Sequence, residues 1–276
     1  MTINDAEAMQ LYDADMAFRN LLPGTRNVRA RYLAKISREI GFAEATEQKI
    51  ILWLSRDISS KTRNMYISTI ASFYRWATRA DNGKPLYFDE EGLPLNPTAN
   101  IQKPRMHPRH PRPMPNDDIR KAIENASPMI RCWIALGAYE GMRCQEIAFL
   151  AVEDINEDTQ TLEVTHGKGD KQRYVPLHPK VLQALKDLPM PSSGRFWPDE
   201  TAASVSRKGN RFLHSLGIKP TMHQLRHFFG TNVYQASNGD IVLTQGLLGH
   251  SSIATTQTYA AADTSKAAGV VTSLTI

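Results

Sequence analysis

The sequence predicts an α+β protein that is mainly helical, carries one small β-sheet and divides into two domains. Apolar residues recur at helical spacing through most of the chain. Strand-like segments are confined to residues 152–177, and a proline-rich stretch covers residues 92–116. We therefore expect an N-terminal helical domain over residues 1–101, a basic proline-rich linker over 102–116 and a second domain over 117–276.

Three helices are expected in the N-terminal domain, over residues 25–40, 44–55 and 60–79. The last is the clearest, because its apolar residues form a continuous stripe: Tyr66, Ile67, Ile70, Phe73, Tyr74 and Ala77. Ser60 is its expected N-cap, and Asn82-Gly83 ends the pattern. The helices predict a small bundle whose scattered arginines suit a DNA-binding surface. A packing domain with ordinary surface charge would give the same pattern.

Proline marks the expected boundary between the domains. Residues 92–116 contain Pro94, Pro97, Pro104, Pro108, Pro111, Pro113 and Pro115. Because proline fixes φ and lacks a backbone donor, this segment is expected to be semi-rigid and extended, and not a helix or an inner strand.

The second domain is expected to combine helices with one strand-rich segment. A helix over residues 117–126 is expected to be capped by Asn116, and a longer helix to cover 128–150. Strands are expected over residues 152–156, 161–166 and 173–177. The remaining helices are expected over residues 179–187, 200–216, 222–236, 240–248 and 252–262.

Composition excludes several classes of protein. The 276 residues are 41% hydrophobic, so packed cores are expected, and they include no apolar run long enough for a membrane span. The N-terminus, MTINDAEAMQ, lacks the apolar segment of a signal peptide. Cys132 and Cys144 are too few for a disulfide scaffold and lack the spacing of metal ligands. These features predict a cytoplasmic protein.

The net charge of +5 is concentrated locally. Basic and acidic residues nearly balance outside residues 102–113. That segment has no acid and contains Lys103, Arg105, Arg109 and Arg112. The stretch 201–239 also lacks acids and contains Arg207, Lys208, Arg211, Lys219 and Arg226. Such local fields suit a polyanion, although a solvated basic linker gives the same pattern.

Six residues of the second domain indicate a specific chemistry. They are Arg143, Lys168, His223, Arg226, His250 and Tyr259. Transfer of a phosphodiester to a protein hydroxyl requires a nucleophile, a proton for the leaving 5′ oxygen and positive charge beside the non-bridging oxygens. Arginine forks match pairs of phosphate oxygens, and a tyrosine hydroxyl can attack phosphorus. The set can therefore cut and rejoin a DNA strand without a metal, a nucleotide or another cofactor.

Each of these residues also has an ordinary structural explanation. Arg143 is a plausible ion-pair partner of Glu140 or Glu146. His223 and Tyr259 are compatible with packing roles, and Lys168 is compatible with a solvated hairpin tip. The order and local context of the whole set favour the chemical interpretation.

Four segments carry a resemblance to a known family. They are EGMRCQEIAFL around Arg143, HGKGDKQRYVPL around Lys168, HQLRHFFGT around His223 and Arg226, and LGHSSIATTQTYA around His250 and Tyr259. Over roughly residues 25–265 the chain resembles the tyrosine recombinases of the integrase family, with a layout similar to phage integrases and to the chromosome-dimer-resolving Xer recombinases.

The resemblance implies a role for each residue. Phosphate binding and transition-state stabilisation fall to Arg143, His223, Arg226 and His250. Lys168 becomes the general acid and Tyr259 the nucleophile. Supporting positions are Glu146, beside the first arginine, and His227, after the second. We further predict DNA contacts from nine basic residues: Lys103, Arg105, Arg109, Arg112, Arg63, Arg75, Arg207, Lys208 and Arg211.

The resemblance also implies a core-binding N-terminal bundle, a tyrosine-recombinase catalytic domain and the partners of such an enzyme. The expected partner is double-stranded DNA with short inverted-repeat core sites, bound by a dimer on each site and a tetramer in synapsis. A directionality factor is a further expected partner. The core-binding pattern begins almost at the N-terminus, so an arm-site-binding domain is not expected.

Integration or excision of a mobile or phage element is the expected function. Alternatives are chromosome or plasmid dimer resolution by the same chemistry, a type IB topoisomerase and a DNA-binding protein without catalysis. The apolar end of the chain, with Val270, Val271, Leu274 and Ile276, favours docking on a partner subunit, as recombinases of this family do. Packing of this tail on its own domain is the alternative.

Overall fold

A computed structural model describes residues 3–79, 83–106, 111–165, 172–189 and 191–249. Within these residues the chain is mainly helical and contains one three-stranded antiparallel sheet. The predicted fold class is confirmed. Several predicted features lie outside the described residues: Arg109, Lys168, His250, Tyr259, the helix over 252–262 and the apolar tail.

The chain folds as two units, Met1–His107 and Pro108–Ile276. The separate linker over 102–116 stays a prediction. Residues 102–106 and 111–115 include neither helix nor strand, and the last residue of the predicted linker, Asn116, begins a helix.

The first unit is helical in its described part. Its helices are α1 (Asp5–Phe18), α2 (Pro23–Glu39), α3 (Glu47–Leu54) and α4 (Ser60–Ala77). Sequence analysis did not predict α1. Its buried residues Ala8, Tyr12 and Met16 repeat every four residues, but the acids and alanines between them obscure the apolar stripe.

Helix α4 begins at Ser60, as its predicted span does, but its N-cap differs from the predicted one and its end comes earlier. Ser59, and not Ser60, is the N-cap, because its hydroxyl accepts a hydrogen bond from the backbone N–H of Thr62 at 3.1 Å. The helix ends at Ala77, before Asn82-Gly83. Its apolar face packs in an aromatic core, where the rings of Phe42 and Phe73 lie 4.3 Å apart between centroids.

The second unit builds its core around one buried helix. Its described helices are α5 (Asn116–Asn125), α6 (Pro128–Tyr139), α7 (Cys144–Phe149), α8 (Pro179–Lys186), α9 (Ala202–Ser215), α10 (Met222–Ala236) and α11 (Ile241–Leu248). Helix α6 is buried from Cys132 to Ala138, as expected of a central helix. None of the described helices in either unit is long and apolar enough to cross a bilayer.

Two helix predictions in the second unit are wrong in detail. Asn116 is the first residue of α5 and Pro115 is its N-cap. The single helix predicted over residues 128–150 is two helices, α6 and α7. Gly141 separates them with a left-handed φ of 62°, which glycine adopts without a steric cost.

The sheet is formed by β1 (Ile155–Asn156), β2 (Thr161–Val164) and β3 (Arg173–Pro176), in that order. The predicted first strand is mostly a 3-10 turn over Val152–Asp154. That turn is favoured because the carboxylate of Asp154 accepts the backbone N–H of Ala151 at 2.9 Å. In the β2–β3 pair, Val164 lies opposite Arg173, so these strands flank the segment that contains Lys168.

Candidate active site

Arg143 is placed by the break between α6 and α7. Gly141 creates this break, and only glycine fits there, because a Cβ atom would lie 2.4 Å from the ring of Phe229. Arg143 then caps the N-terminus of α7. Its backbone N–H donates to Glu146 Oε2 at 2.8 Å and its Nη1 donates to Oε1 at 2.7 Å. The Arg143 side chain stays 26% exposed, so part of it faces solvent.

Glu146 lies at the centre of the site and is buried. Three arginines surround its carboxylate: Arg143 from α7, Arg173 from β3 and Arg226 from α10. We call this group the arginine cluster. Burial alone raises the pKa of Glu146, but hydrogen bonds and charge from Arg173, the N–H of Arg143 and the charge of Arg226 together lower this pKa to about 2. The carboxylate is therefore ionised at neutral pH.

Arg226 is almost completely buried, at 3% exposure. Its Nη1 donates to the carbonyl of Gly141 at 2.5 Å, and its Nη2 donates to the carbonyl of Leu248. Nη1 also lies 3.9 Å from Glu146 Oε2. This one side chain thus connects α10 with the start of α7 and the end of α11.

Arg173 was not predicted as a site residue. It is buried on β3 and donates from Nη1 and Nη2 to the two carboxylate oxygens of Glu146, at 3.0 and 2.9 Å. Its Nε donates to the carbonyl of Leu247 at 2.9 Å. The signal was present in the sequence. Alternation along β3 places Arg173 on the same face as the buried Val175, and a buried arginine requires an acidic partner.

His223 and His227 lie together on α10. Their ring centroids are 4.8 Å apart and the rings are nearly perpendicular. His223 is exposed and His227 is partly buried. Burial, the neighbouring His223 and the charge of Arg226 lower the pKa of His227 to about 4. His227 is therefore neutral at physiological pH, whereas Arg226 beside it is charged.

The structure thus joins Arg143, Glu146 and Arg226 in one ion-pair network and places His223 three residues before Arg226 on α10. Gly249 ends α11 with a left-handed φ of 61°, and His250 follows it in the sequence. The other predicted catalytic residues, Lys168, His250 and Tyr259, lie outside the described residues.

The predicted DNA-contacting residues have different surroundings. Six of the described ones are exposed: Lys103, Arg105, Arg112, Arg75, Arg207 and Arg211. Lys208 is also exposed but pairs with the carboxylate of Glu200. Arg63 is partly buried and donates to the carbonyls of Leu54 and Arg56 at the end of α3. These DNA contacts all stay predictions.

The arginine cluster is suited to a small anion. Three guanidinium groups face one carboxylate, so the local charge is positive even when Glu146 is ionised. Arg143 is the member with the most exposed side chain. The anionic group of nucleic acids is phosphate, and a guanidinium fork matches a pair of its oxygens. Among the described residues, no group of three or more histidines, cysteines or acids is arranged to hold a metal ion.

Solved structures with the same fold are DNA recombinases. The XerH site-specific recombinase bound to a palindromic difH substrate superposes with a TM-score of 0.71 at 21% identity, covering 96% of this chain and 84% of that one. A lambda integrase dimer bound to a COC′ core site gives a TM-score of 0.71 at 18% identity, covering 94% and 95%. At these identities the likeness establishes the fold.

The chain belongs to the phage integrase family, whose sequence model matches residues 113–266. Relatives include the tyrosine recombinase XerD of Staphylococcus epidermidis, 30% identical over 73% of this chain and 72% of the relative. The tyrosine recombinase XerC of Actinobacillus succinogenes is 31% identical over 62% of this chain and 63% of the relative. The XerC of Rhodospirillum centenum is 32% identical over 73% and 62%. The chain thus spans less than two thirds of the length of several relatives.

Proposed function

We propose that this protein is a site-specific DNA recombinase that cleaves and rejoins strands through a 3′-phosphotyrosyl intermediate. The observation that carries the proposal is the arginine cluster. Arg143 and Arg226, two residues far apart in the sequence, meet on one buried carboxylate and leave an excess of positive charge. The tyrosine recombinases among the relatives support the same chemistry.

The proposed reaction conserves the number of phosphoester bonds. The hydroxyl of Tyr259 attacks the scissile phosphorus and forms a tyrosyl ester with the 3′ phosphate. The bond from phosphorus to the 5′ oxygen breaks, and Lys168 protonates that oxygen. A 5′ hydroxyl from the partner strand then attacks the phosphotyrosine, releases Tyr259 and reseals the DNA.

The arginines, histidines and Glu146 have the following places in this scheme. Arg143 and Arg226, with His223 and His250, bind the phosphate and stabilise the charge that develops on its non-bridging oxygens. Glu146 and His227 hold those groups in position. Charge stabilisation from these side chains requires neither a metal ion nor ATP, so cleavage is expected to continue in excess EDTA.

The proposed substrate is double-stranded DNA with inverted-repeat core sites. We place one dimer on each site and a tetramer in synapsis, with the apolar tail linking neighbouring subunits. A lambda integrase dimer on a core site supports the first of these assemblies. Native gel shifts on one-site and two-site DNA test the tail: a deletion of residues 266–276 is expected to weaken two-site complexes more than one-site complexes.

Integration or excision of a mobile or phage element, under a directionality factor, is the finer function that we propose. The Xer relatives favour dimer resolution as a second candidate. Plasmid assays separate the two. An integrase joins two plasmids that carry different sites, whereas a resolution enzyme recombines two identical sites within one plasmid dimer.

The chemistry itself is tested by covalent trapping. Binding sites are selected from random duplexes, and versions nicked beside each phosphate of the recovered site are offered to the protein. Wild-type protein is expected to stay attached to DNA in a denaturing gel, with or without EDTA. Tyr259→Phe is the matched control, because it loses only the hydroxyl, and it is expected to bind DNA without attachment. Equal trapping of both proteins contradicts the assignment of Tyr259.

A further inference from the structure

Arg173 differs from Arg143, the most exposed arginine of the cluster. All three of its guanidinium nitrogens already donate within the protein, two to Glu146 and one to the carbonyl of Leu247. Its side chain is 7% exposed, compared with 26% for Arg143. Arg173 is therefore engaged with the protein itself, whereas Arg143 keeps an exposed edge.

We propose that Arg173 is a positioning residue, which neutralises Glu146 so that this carboxylate does not draw Arg143 and Arg226 away from the phosphate. This inference rests on the proposed recombinase function. Arg173 would contact neither the DNA nor the reacting atoms, and it would act through Glu146 and through the end of α11.

The geometry around Glu146 supports this role. The carboxylate accepts four hydrogen bonds, two from Arg173 and two from Arg143. Arg226 is held at 3.9 Å from Oε2, beyond hydrogen-bond distance. A buried carboxylate that loses its main partner attracts the nearest remaining cation. Without Arg173, we expect Arg226 to move toward Glu146 by roughly 1 Å and to loosen its bonds to Gly141 and Leu248.

The end of α11 supplies a second, independent support. The last carbonyls of a helix have no partner within the helix and attract positive charge. Here Arg173 donates to the carbonyl of Leu247, and Arg226 donates to that of Leu248. A Cβ atom on Gly249 would lie 3.0 Å from Arg173. Arg173 thus links Glu146, which also binds Arg143, to the end of α11. The end of α11 immediately precedes His250 in the sequence.

The kinetic test compares Arg173→Gln with the double variant Arg173→Gln/Glu146→Gln, on the nicked site used for trapping. The single variant is expected to bind DNA within about twofold of wild type, since direct phosphate contacts remain. Its single-turnover cleavage rate at saturating DNA should fall roughly 10-fold to 100-fold, the usual cost of removing a supporting residue. The double variant should recover much of the lost rate, because no unpaired carboxylate remains and glutamine still accepts the N–H of Arg143.

Recovery in the double variant distinguishes positioning from general stabilisation of the fold. Thermal melting confirms that each variant is folded at the assay temperature, and Arg173→Lys, which keeps the charge without the fork, should cleave at an intermediate rate. A double variant that melts like wild type but cleaves no faster than Arg173→Gln overturns the inference. So does an Arg173→Gln protein that cleaves at the wild-type rate.

A measurement without DNA separates this inference from the proposed function. Carbon-13 labelling of glutamate, with Glu146→Gln used to assign the signal, follows the titration of Glu146 by NMR. The pKa of Glu146 is expected near 2 in wild type. It should be clearly higher in Arg173→Gln, because burial still raises this pKa while the hydrogen bonds and charge of Arg173 no longer lower it. An unchanged pKa overturns the neutralising role. If wild-type protein forms no covalent complex, the recombinase proposal fails, while the titration still tests the electrostatic role of Arg173.

Discussion

Gly137 of α6 lies directly against Leu225 of α10. A Cβ atom at position 137 would stand 3.1 Å from both Cβ and Cδ1 of Leu225. The two helices approach this closely because glycine has no side chain. Leu225 lies between His223 and Arg226 in the sequence. The contact therefore fixes the distance between α6 and the part of α10 that contains these two residues.

Gly137→Val is therefore expected to separate α6 from α10. Overpacking of this kind costs about 1–3 kcal/mol, which corresponds to a fall in melting temperature of roughly 2–12 °C for a unit of this size. Cleavage should fall further than stability alone explains, because Arg226 moves with α10. Thermal denaturation and single-turnover cleavage measure the two effects.

Gly246→Ala provides the control for this substitution. Gly246 is also helical, but a Cβ atom there would have no described atom within 4 Å. Alanine should therefore leave the melting temperature unchanged or raise it slightly. Equal destabilisation by both variants contradicts the close-approach argument.

Much of the fold follows from patterns that are local in the sequence. Helices α8 and α10 match their predicted spans closely because apolar spacing and capping residues coincide there. The break at Gly141 was missed because the apolar residues continue through it from α6 into α7. The break is associated with tertiary contacts from α10: the ring of Phe229 packs against Gly141, and Arg226 donates to the carbonyl of Gly141.

The site was predictable as a set of residues but not as a network. The motifs identified Arg143, Glu146 and Arg226, since their contexts are short and distinctive. Alternation along β3 was enough to mark Arg173 as buried, but its partner Glu146 was not predictable, because spacing along the chain does not encode the approach of β3 to α7. The neutral state of His227 depends first on its burial, which the motif alone does not reveal, and then on the charges of His223 and Arg226.

Arg143→Ala and Arg226→Ala are expected to differ in stability, although each removes one proposed phosphate fork. Each should lower cleavage by about 10²–10³ with a much smaller loss of DNA affinity. Arg226→Ala also leaves the carbonyls of Gly141 and Leu248 without their donor, which should cost about 2–4 kcal/mol. Arg143 is partly exposed, and its loss should cost about 1 kcal/mol or less. Urea denaturation and cleavage assays of both variants test the prediction. Equal free energies of unfolding for the two variants would contradict the structural role of the buried Arg226.

Glu140 is expected to make stability depend on pH. The residue is fully buried, and its Oε1 accepts the backbone N–H of His178 at 2.7 Å. Burial, only partly offset by that hydrogen bond, raises the pKa of Glu140 from 4.5 to about 8. The folded protein therefore keeps a proton that the unfolded chain releases above pH 4.5. The free energy of unfolding should fall as pH rises between these two values.

Glu140→Gln isolates this contribution, because glutamine is neutral and still accepts the N–H of His178. Urea denaturation of both proteins at pH 5, 6, 7 and 8 gives the difference between their unfolding free energies. From pH 5 to pH 8 the wild-type free energy of unfolding should fall by on the order of 4 kcal/mol relative to that of Glu140→Gln. Parallel curves for the two proteins would show that Glu140 is ionised in the folded state.

Arg207 and Arg211 are expected to contact the DNA backbone from one face of α9. They are four residues apart and exposed, while Val205, Gly209 and Leu213 form the buried face of this helix.

Arg207→Gln/Arg211→Gln should flatten the dependence of binding on salt. Each lost phosphate contact lowers the slope of log affinity against log salt by about 0.9, so the double variant should lose roughly 1.8. Arg120→Gln/Lys186→Gln removes the same charge from residues that already pair with Asp117 and Glu157, and its slope should match wild type. Lys208→Gln should change the slope by less than half as much as Arg207→Gln/Arg211→Gln, because Lys208 already pairs with the carboxylate of Glu200. Binding isotherms across a salt series measure all four proteins. Equal slopes for the two double variants would mean that α9 does not face the DNA, and that the basic stretch after Glu200 contributes charge without contact.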